Sequence, residues 1–248
     1  MSATGLREES RDGALWWTLD KLERRNAVGP DALRWITRRC ATLRGETVVL
    51  RGAGDEAFCA GFDLTALNPS ADGPPPDAPL AEATAAIEAA DATFIAAING
   101  FAIGAGLELV CACDLRIASD DVWFAIPAAK LGVVYHAAGL QRLHAVLGPA
   151  ILRRLLLLGE RVHADALAEA GALTHLVART SLPGSIETTV AAVGRGAPLS
   201  QRAHRSFLRA LQCEGASAEL LERHQVARTE AYARIREARV AKPDAQGT

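Results

Sequence analysis

The sequence is short of the features that mark several large classes of protein. Aromatic residues make up 5% of its 248 residues, and basic and acidic side chains nearly balance, at 27 against 29. We therefore expect no nucleic-acid partner, since such binders usually carry a strongly basic surface. No run approaches the ~18 uncharged apolar residues that cross a bilayer, so we also expect no membrane partner. Residues 1–12 are polar and mixed in charge, unlike a signal peptide, which predicts a cytoplasmic protein.

Cysteine is also scarce, and its number is odd. Five cysteines argue against a framework of disulfides. Cys111 and Cys113 are too close together for a usual zinc knuckle, and no second pair lies nearby. We predict no metal site and buried free thiols at all five positions, namely Cys40, Cys59, Cys111, Cys113 and Cys213.

The pattern of apolar residues predicts an α/β fold. Short apolar runs at residues 13–19, 47–50, 94–98 and 115–118 are typical of strands, and helical spacing begins at Pro30 and covers residues 107–113. Strands that alternate with helices indicate a mostly parallel sheet. From Gly148 onward the patterns predict helices alone, at residues 149–158, 164–170, 200–211 and 218–241.

Two glycine-containing turns follow apolar strands, at residues 58–64 (FCAGFDL) and 99–109 (NGFAIGAGLEL). Ligands of open α/β sheets bind at the carboxyl ends of strands, so the two turns together mark a candidate site. Gly104 and Gly106 open a helix, where unpaired N–H groups favour negative charge. The third glycine of a dinucleotide fingerprint is missing, because Leu109 stands there. Either turn alone is equally well explained by close packing.

Six motifs occur in a fixed order along the chain. They are residues 18–20 (TLD) with 24–27 (RRNA), 58–64 (FCAGFDL), 95–100 (IAAING), 104–108 (GAGLE), 113–118 (CDLRIA), and 131–132 (LG) with 139–143 (GLQRL). Together they resemble the crotonase family, the enoyl-CoA hydratases and isomerases, over about residues 16–175. The resemblance implies a ββα spiral core at residues 1–190 and a C-terminal helical region at 191–248 for oligomerisation and capping. It also implies a homotrimer or homohexamer.

The resemblance further implies an acyl-CoA substrate whose enolate is held by two backbone N–H groups, those of Phe62 and Ala105. One preorganised donor of this kind is worth ~3 kcal/mol. No separate cofactor is implied, because coenzyme A arrives as part of the substrate. The implied substrate-binding positions are Lys21, Arg24, Arg25, Ala60, Gly61, Asp63, Leu64, Gly104 and Ala128. For Arg24 and Arg25, a solvated turn explains the charges equally well.

Glu108 matches one of the two acidic residues of the family's hydratases. A carboxylate beside an apolar pocket can act as acid or base, although a glutamate near a helix start also complements the helix dipole. The family's second glutamate follows a proline, and here Ala128 follows Pro127. Losing one carboxylate should cost about 10²–10⁴ in rate, so ordinary hydration or isomerisation is in question.

The segment at residues 131–135 (LGVVY) resembles the family's methylmalonyl-CoA decarboxylases. Those enzymes keep a glutamate at the position of Glu108, lack the second one, and carry a tyrosine where Tyr135 stands. Tyr135 or His136 could donate the proton that Ala128 cannot, or the two could simply line the acyl pocket and brace the structure. Three functions stay open: an enoyl-CoA hydratase-like lyase, a decarboxylase of malonyl-type thioesters, and a non-catalytic acyl-CoA-binding protein.

Overall fold

The computed structural model describes residues 4–63, 77–132 and 134–213, together with Glu219, Glu222 and Val226. Leu64 and, apart from those three residues, the predicted helix at 218–241 lie outside the described residues. The chain divides into two compact units, residues 1–194 and 195–248. The first unit holds all the strands that the structure describes, and the second contributes one described helix of sixteen residues.

The first unit contains ten strands among the described residues. In chain order they are β1 (Leu6–Arg11), β2 (Ala14–Leu19), β3 (Glu46–Gly52), β4 (Ala57–Cys59), β5 (Ala92–Ile98), β6 (Phe101–Ile103), β7 (Leu115–Ser119), β8 (Trp123–Ala125), β9 (Arg161–His163) and β10 (His175–Val177). A six-stranded sheet has the order β1-β2-β3-β5-β7-β10, and a four-stranded sheet has the order β4-β6-β8-β9. All neighbours are parallel except β1 with β2 and β8 with β9.

The helices in chain order are α1 (Pro30–Cys40), α2 (Ala78–Ala89), α3 (Ala105–Ala112), α4 (Ala128–Leu131), α5 (Ala137–Arg153), α6 (Ala164–Glu169), α7 (Leu182–Gly194) and α8 (Pro198–Cys213). A kink at Gly148 divides α5, and a π-helical turn over Arg154–Leu158 continues it. The helix predicted at residues 149–158 thus begins at Pro149 and ends before Gly159, which adopts the left-handed conformation.

Strands and helices follow each other as repeated ββα units. β3 and β4 precede α2, β5 and β6 precede α3, and β7 and β8 precede α4. Each unit adds one strand to the large sheet and the next strand to the small sheet. The predicted α/β class and the implied ββα spiral are therefore confirmed.

Both faces of the large sheet are buried. Val48 and Leu50 of β3 face the main core, whereas Val49 between them packs with Leu182 and Ile186 of α7 on the other face. Parallel strands that are covered on both sides consist of unbroken apolar runs, which is why residues 47–50 could be identified from the sequence.

The structure corrects two sequence-based expectations. β1 was not predicted, because its residues after Leu6 are polar or charged and exposed. It is an edge strand whose order comes from its backbone pairing with β2, and exposed charges are the usual feature of such edges. The last third is not purely helical, since β9 and β10 lie within it. Three residues are too few for a periodicity to show.

The thiols of Cys40, Cys59, Cys111 and Cys113 are free and buried, as predicted, and the Cys213 side chain lies outside the described part. Burial raises the pKa of Cys59 and Cys111 to about 12, so both are unreactive. Within the described residues, no helix is long and apolar enough to cross a membrane. In the same residues, no three histidine, cysteine or acidic side chains are grouped to hold a metal ion.

Candidate active site

The candidate site lies where three strands of the small sheet end. β4, β6 and β8 are parallel neighbours, so their carboxyl ends meet at one edge. The Gly104 N–H donates to the Ala125 carbonyl at 2.9 Å and joins the ends of β6 and β8. A cavity of about 150 Å³ opens at this edge.

Most of the predicted site residues meet in this cavity. Its lining includes Ala60, Gly61, Phe62, Gly104, Ala105, Glu108, Ala128, Tyr135 and His136. The remaining lining residues were not predicted, and they are Asp77, Leu80, Ile103, Pro127 and Leu131. Apart from Asp77, these additional side chains are apolar, which suits an acyl group.

The backbone N–H groups of Phe62 and Ala105, both in the lining, have no acceptor among the described residues. Val28 donates to the Gly61 carbonyl at 2.9 Å and accepts from the Asp63 N–H at 2.8 Å, so the intervening Phe62 N–H is left unpaired. Ala105 is the first residue of α3, where an N–H has no intrahelical partner. Gly104, at a φ of +53°, makes the turn that places this N–H at the cavity.

Glu108 is held through one of its two carboxylate oxygens. The side chain is 0% exposed, and its Oε1 accepts a hydrogen bond from Arg142 Nη1 at 2.8 Å. His136 Nε2 lies 3.1 Å from the same oxygen. Oε2 has no hydrogen-bond partner within the described residues. The carboxylate is therefore fixed on one side and keeps the second oxygen available for a ligand in the cavity.

Arg142 anchors this carboxylate to two other helices. It lies in α5, is 8% exposed, and donates from Nε and Nη2 to the two oxygens of Glu88 in α2, at 2.7 and 2.8 Å. One buried guanidinium thus joins α2, α3 and α5. Sequence reasoning missed this role. The signal in the sequence was the position of Arg142 beside Leu143 on the apolar face of a helix. A cation in such a position is buried, and a buried cation needs acidic partners.

His136 has a structural duty as well as its contact with Glu108. Its Nδ1 accepts the Gly139 N–H at 3.0 Å and so caps the start of α5. The neutral ring then carries its proton on Nε2, which faces Glu108 Oε1 but is not aligned for a full hydrogen bond. The Glu108 carboxylate raises the pKa of His136, and partial burial opposes that effect. His136 therefore contacts Glu108 from the N-cap position of α5.

Tyr135 is a half-buried residue whose hydroxyl keeps its proton. Burial is the main reason that the pKa of Tyr135 is raised well above its ordinary value, and the negative charges of Glu108 and Asp77 raise it further. Its oxygen would lie 3.2 Å from a Cβ placed on Gly104, so it sits close to the start of α3. Tyr135 is suited to donate a hydrogen bond in the cavity and is a weak acid for full proton transfer.

The other predicted positions lie outside the cavity lining. Lys21 Nζ is 3.1 Å from Asp63 Oδ2, and Arg25 Nε is 2.9 Å from Glu56 Oε1 at the surface. Arg24 is exposed. The Arg25 carbonyl accepts the Ala60 N–H at 2.9 Å, so this basic turn lies directly against one wall of the cavity.

Comparison with known proteins identifies the family of the chain. The model of the enoyl-CoA hydratase/isomerase family matches residues 10–241. The chain belongs to the enoyl-CoA hydratase/isomerase (crotonase) family. The match extends beyond the residues 16–175 that carry the sequence motifs, and it confirms the resemblance.

Relatives and solved structures agree with this membership. A carnitinyl-CoA dehydratase of Proteus mirabilis (strain HI4320) is 38% identical over 166 residues, which make up 65% of this chain and 62% of that protein. The alignment thus spans less than two thirds of that relative. An enoyl-CoA hydratase/carnithine racemase from Magnetospirillum magneticum has a TM-score of 0.81 at 27% identity, covering 90% of this chain and 86% of that one. A structure from Thermobifida fusca YX in complex with CoA has a TM-score of 0.81 at 26% identity, covering 95% and 96%.

Gly139 offers a test of whether the position of Glu108 matters. A Cβ on Gly139 would lie 2.9 Å from Glu108 Oε1 and 2.9 Å from His136 Nε2, so Gly139→Ala must displace one or both. We expect kcat to fall about 10²-fold, the effect of moving a catalytic group by about 1 Å. The melting temperature should change less, because the gain in helix propensity of about 0.5–1 kcal/mol offsets part of the overpacking.

Gly184→Ala is the matched control for this variant. Gly184 lies in α7 with nothing within 4 Å of an added Cβ. We expect unchanged turnover and a slightly higher melting temperature. Wild-type kcat in Gly139→Ala, measured with the same substrate, would show that the carboxylate can move without consequence.

Proposed function

We propose that this protein is an acyl-CoA enzyme of the hydratase type, which adds water to an enoyl-CoA or removes it from the product. The observation that carries the proposal is the arrangement of Glu108. Its Oε1 is bound by Arg142, and its Oε2 has no partner in the part of the chain that the structure describes. Glu108 shares the cavity with the N–H groups of Phe62 and Ala105, which have no acceptor there either. A base and two donors around one small space match the needs of enolate chemistry.

In this mechanism the thioester oxygen lies between the N–H groups of Phe62 and Ala105. Water adds to the β-carbon while Glu108 Oε2 accepts a proton from it, and the double-bond electrons move onto the thioester as an enolate. The two N–H groups stabilise the negative charge on oxygen, at about 2.7–4 kcal/mol for the removal of one donor. Protonation of the α-carbon completes the addition.

The cavity supports a short acyl group as substrate. Its volume of about 150 Å³ is close to that of protein cavities that bind a benzene-sized ligand. The coenzyme A portion would extend past Ala60 towards the turn that carries Lys21, Arg24 and Arg25. Guanidinium and ammonium groups are the usual partners of phosphates, which supports this direction.

We also propose that the protein is a homotrimer or homohexamer. Leu131, Val134, Leu157 and Leu158 are large apolar side chains that are exposed in the single chain. Lys130 Nζ donates to the Gly159 carbonyl at 2.9 Å and holds α4 beside the end of the π-helical turn. Such an apolar surface supports burial against another copy.

Decarboxylation of a malonyl-type thioester is the second candidate function. The Tyr135 hydroxyl lies close to Gly104, the residue before Ala105, where it could orient a leaving carboxylate. Loss of CO₂ forms the same enolate and needs no activated water. The absence of a carboxylate at Ala128 is compatible with this reaction.

Two substrates distinguish these functions. The protein is incubated with crotonyl-CoA, following the loss of enoyl absorbance, and with methylmalonyl-CoA, following CO₂ release, and binding of each is measured by calorimetry. We expect hydration of crotonyl-CoA. Release of CO₂ without hydration would support the decarboxylase instead. Binding of both thioesters without turnover would identify a non-catalytic acyl-CoA-binding protein.

A further inference from the structure

Hydration of an enoyl-CoA requires two proton transfers, one from the attacking water and one to the α-carbon. One group takes a proton from the water that attacks the β-carbon, and another gives a proton to the α-carbon. Glu108 can serve the first of these steps. Ala128, which lines the same cavity, carries no titratable group. The second proton must come from another lining residue.

Tyr135 and His136 are poorly placed to supply it. Tyr135 is held in its protonated form by burial and by nearby negative charge. His136 uses Nδ1 to cap α5, and its Nε2 faces the oxygen of Glu108 that Arg142 already binds. Proton transfer would disrupt the contacts of His136, and Tyr135 is a weak acid.

Asp77 has no comparable structural contact within the described residues. It is the N-cap residue of α2, a position where aspartate usually bonds to the helix N–H groups, yet its side chain makes no capping hydrogen bond. No hydrogen bond or ion pair to a described residue holds this carboxyl group. It is half-buried and lines the cavity together with Glu108. Its carboxyl group, which has no partner among the described residues, is therefore open to a ligand in the cavity.

We propose that Asp77 is the second acid–base residue of this cavity, the group that delivers a proton to the α-carbon and removes it in the reverse direction. In hydration, the water O–H bond breaks as oxygen bonds to the β-carbon, and Glu108 takes that proton. Asp77 takes up a proton from solvent and transfers it to the α-carbon, where the electron pair of the enolate forms the α-C–H bond. The product gains one H and one OH, and both carboxyl groups return to their starting state by exchange with solvent.

The role of Asp77 rests on the proposed function, so the experiment must distinguish a failure of that role from a failure of the hydratase function. Hydration of crotonyl-CoA is measured together with exchange of the α-hydrogens of butyryl-CoA in D₂O, a reaction that needs the α-proton group but no addition of water. We expect Asp77→Asn to lower both kcat for hydration and the exchange rate by about 10²-fold or more, with little change in KM. Asp77→Glu should restore part of both rates.

Glu82→Gln is the control, because Glu82 is an exposed acidic residue on the same helix and outside the cavity lining. Its two rates should equal those of the wild type. Asp77→Asn loses no capping bond, so its melting temperature should stay close to that of the wild type. If Asp77→Asn exchanges and hydrates as fast as Glu82→Gln, Asp77 is not the α-proton group, whereas a wild type that does neither overturns the proposed function itself.

Discussion

Glu108→Gln is expected to lower kcat for crotonyl-CoA hydration by about 10²–10⁴-fold, the contribution of a positioned general base. Glutamine has nearly the same shape and can still accept the hydrogen bond from Arg142 through its amide oxygen. Its NH₂ group then stands where Oε2 stands, and that group cannot accept a proton from water. KM should change little, because the loss affects the transition state rather than binding of the thioester.

Glu88→Gln provides the matched comparison for this prediction. Glu88 binds the same guanidinium as Glu108, at 2.7 and 2.8 Å, but does not line the cavity. Its replacement disturbs the charge balance of Arg142 and leaves the base in place. We expect a much smaller loss of kcat than in Glu108→Gln, and steady-state kinetics of both variants measures the difference. Equal losses would show that Glu108 acts as part of a structural ion-pair network, and an unchanged rate in Glu108→Gln would show that the base lies elsewhere.

The parts of the fold that could be predicted are those in which local pattern and tertiary environment agree. β3 and β5 are covered on both faces, so their residues are apolar without interruption. The two glycine turns could be located because they follow such strands. Their lining residues Phe62 and Ala105 do meet in one cavity.

The parts that could not be predicted depend on contacts between distant segments. Arg142 is separated from Glu108 by 34 positions and from Glu88 by 54, and only the packing of three helices brings them together. Asp77 follows a proline-rich stretch that carries no periodic pattern, and it lines the cavity because α2 begins there. β1 is held in place by backbone pairing with β2 rather than by apolar side chains of its own.

Ala105→Pro tests the backbone donor at the start of α3, which no ordinary side-chain change can remove. Proline has no N–H, and the first position of a helix is where it is best tolerated. Ala105 is that first residue, and Gly104 before it has no Cβ to collide with the proline ring. We therefore expect the helix to form and the melting temperature to change modestly. The kcat should fall by about 10²–10³, as when one donor to a developing oxyanion is removed.

Ala105→Gly separates the donor from the side chain in this experiment. Glycine retains the N–H and removes the methyl group, so the loss of kcat should be far smaller than with proline, despite the entropic cost of glycine in a helix of about 0.5–1 kcal/mol. Circular dichroism and a thermal melt establish that both variants are folded before their rates are compared. Because α-hydrogen exchange of butyryl-CoA passes through the same enolate, Ala105→Pro should slow that exchange in parallel with hydration. A folded Ala105→Pro protein that keeps wild-type rates in both reactions would rule out this N–H as a ligand of the enolate oxygen.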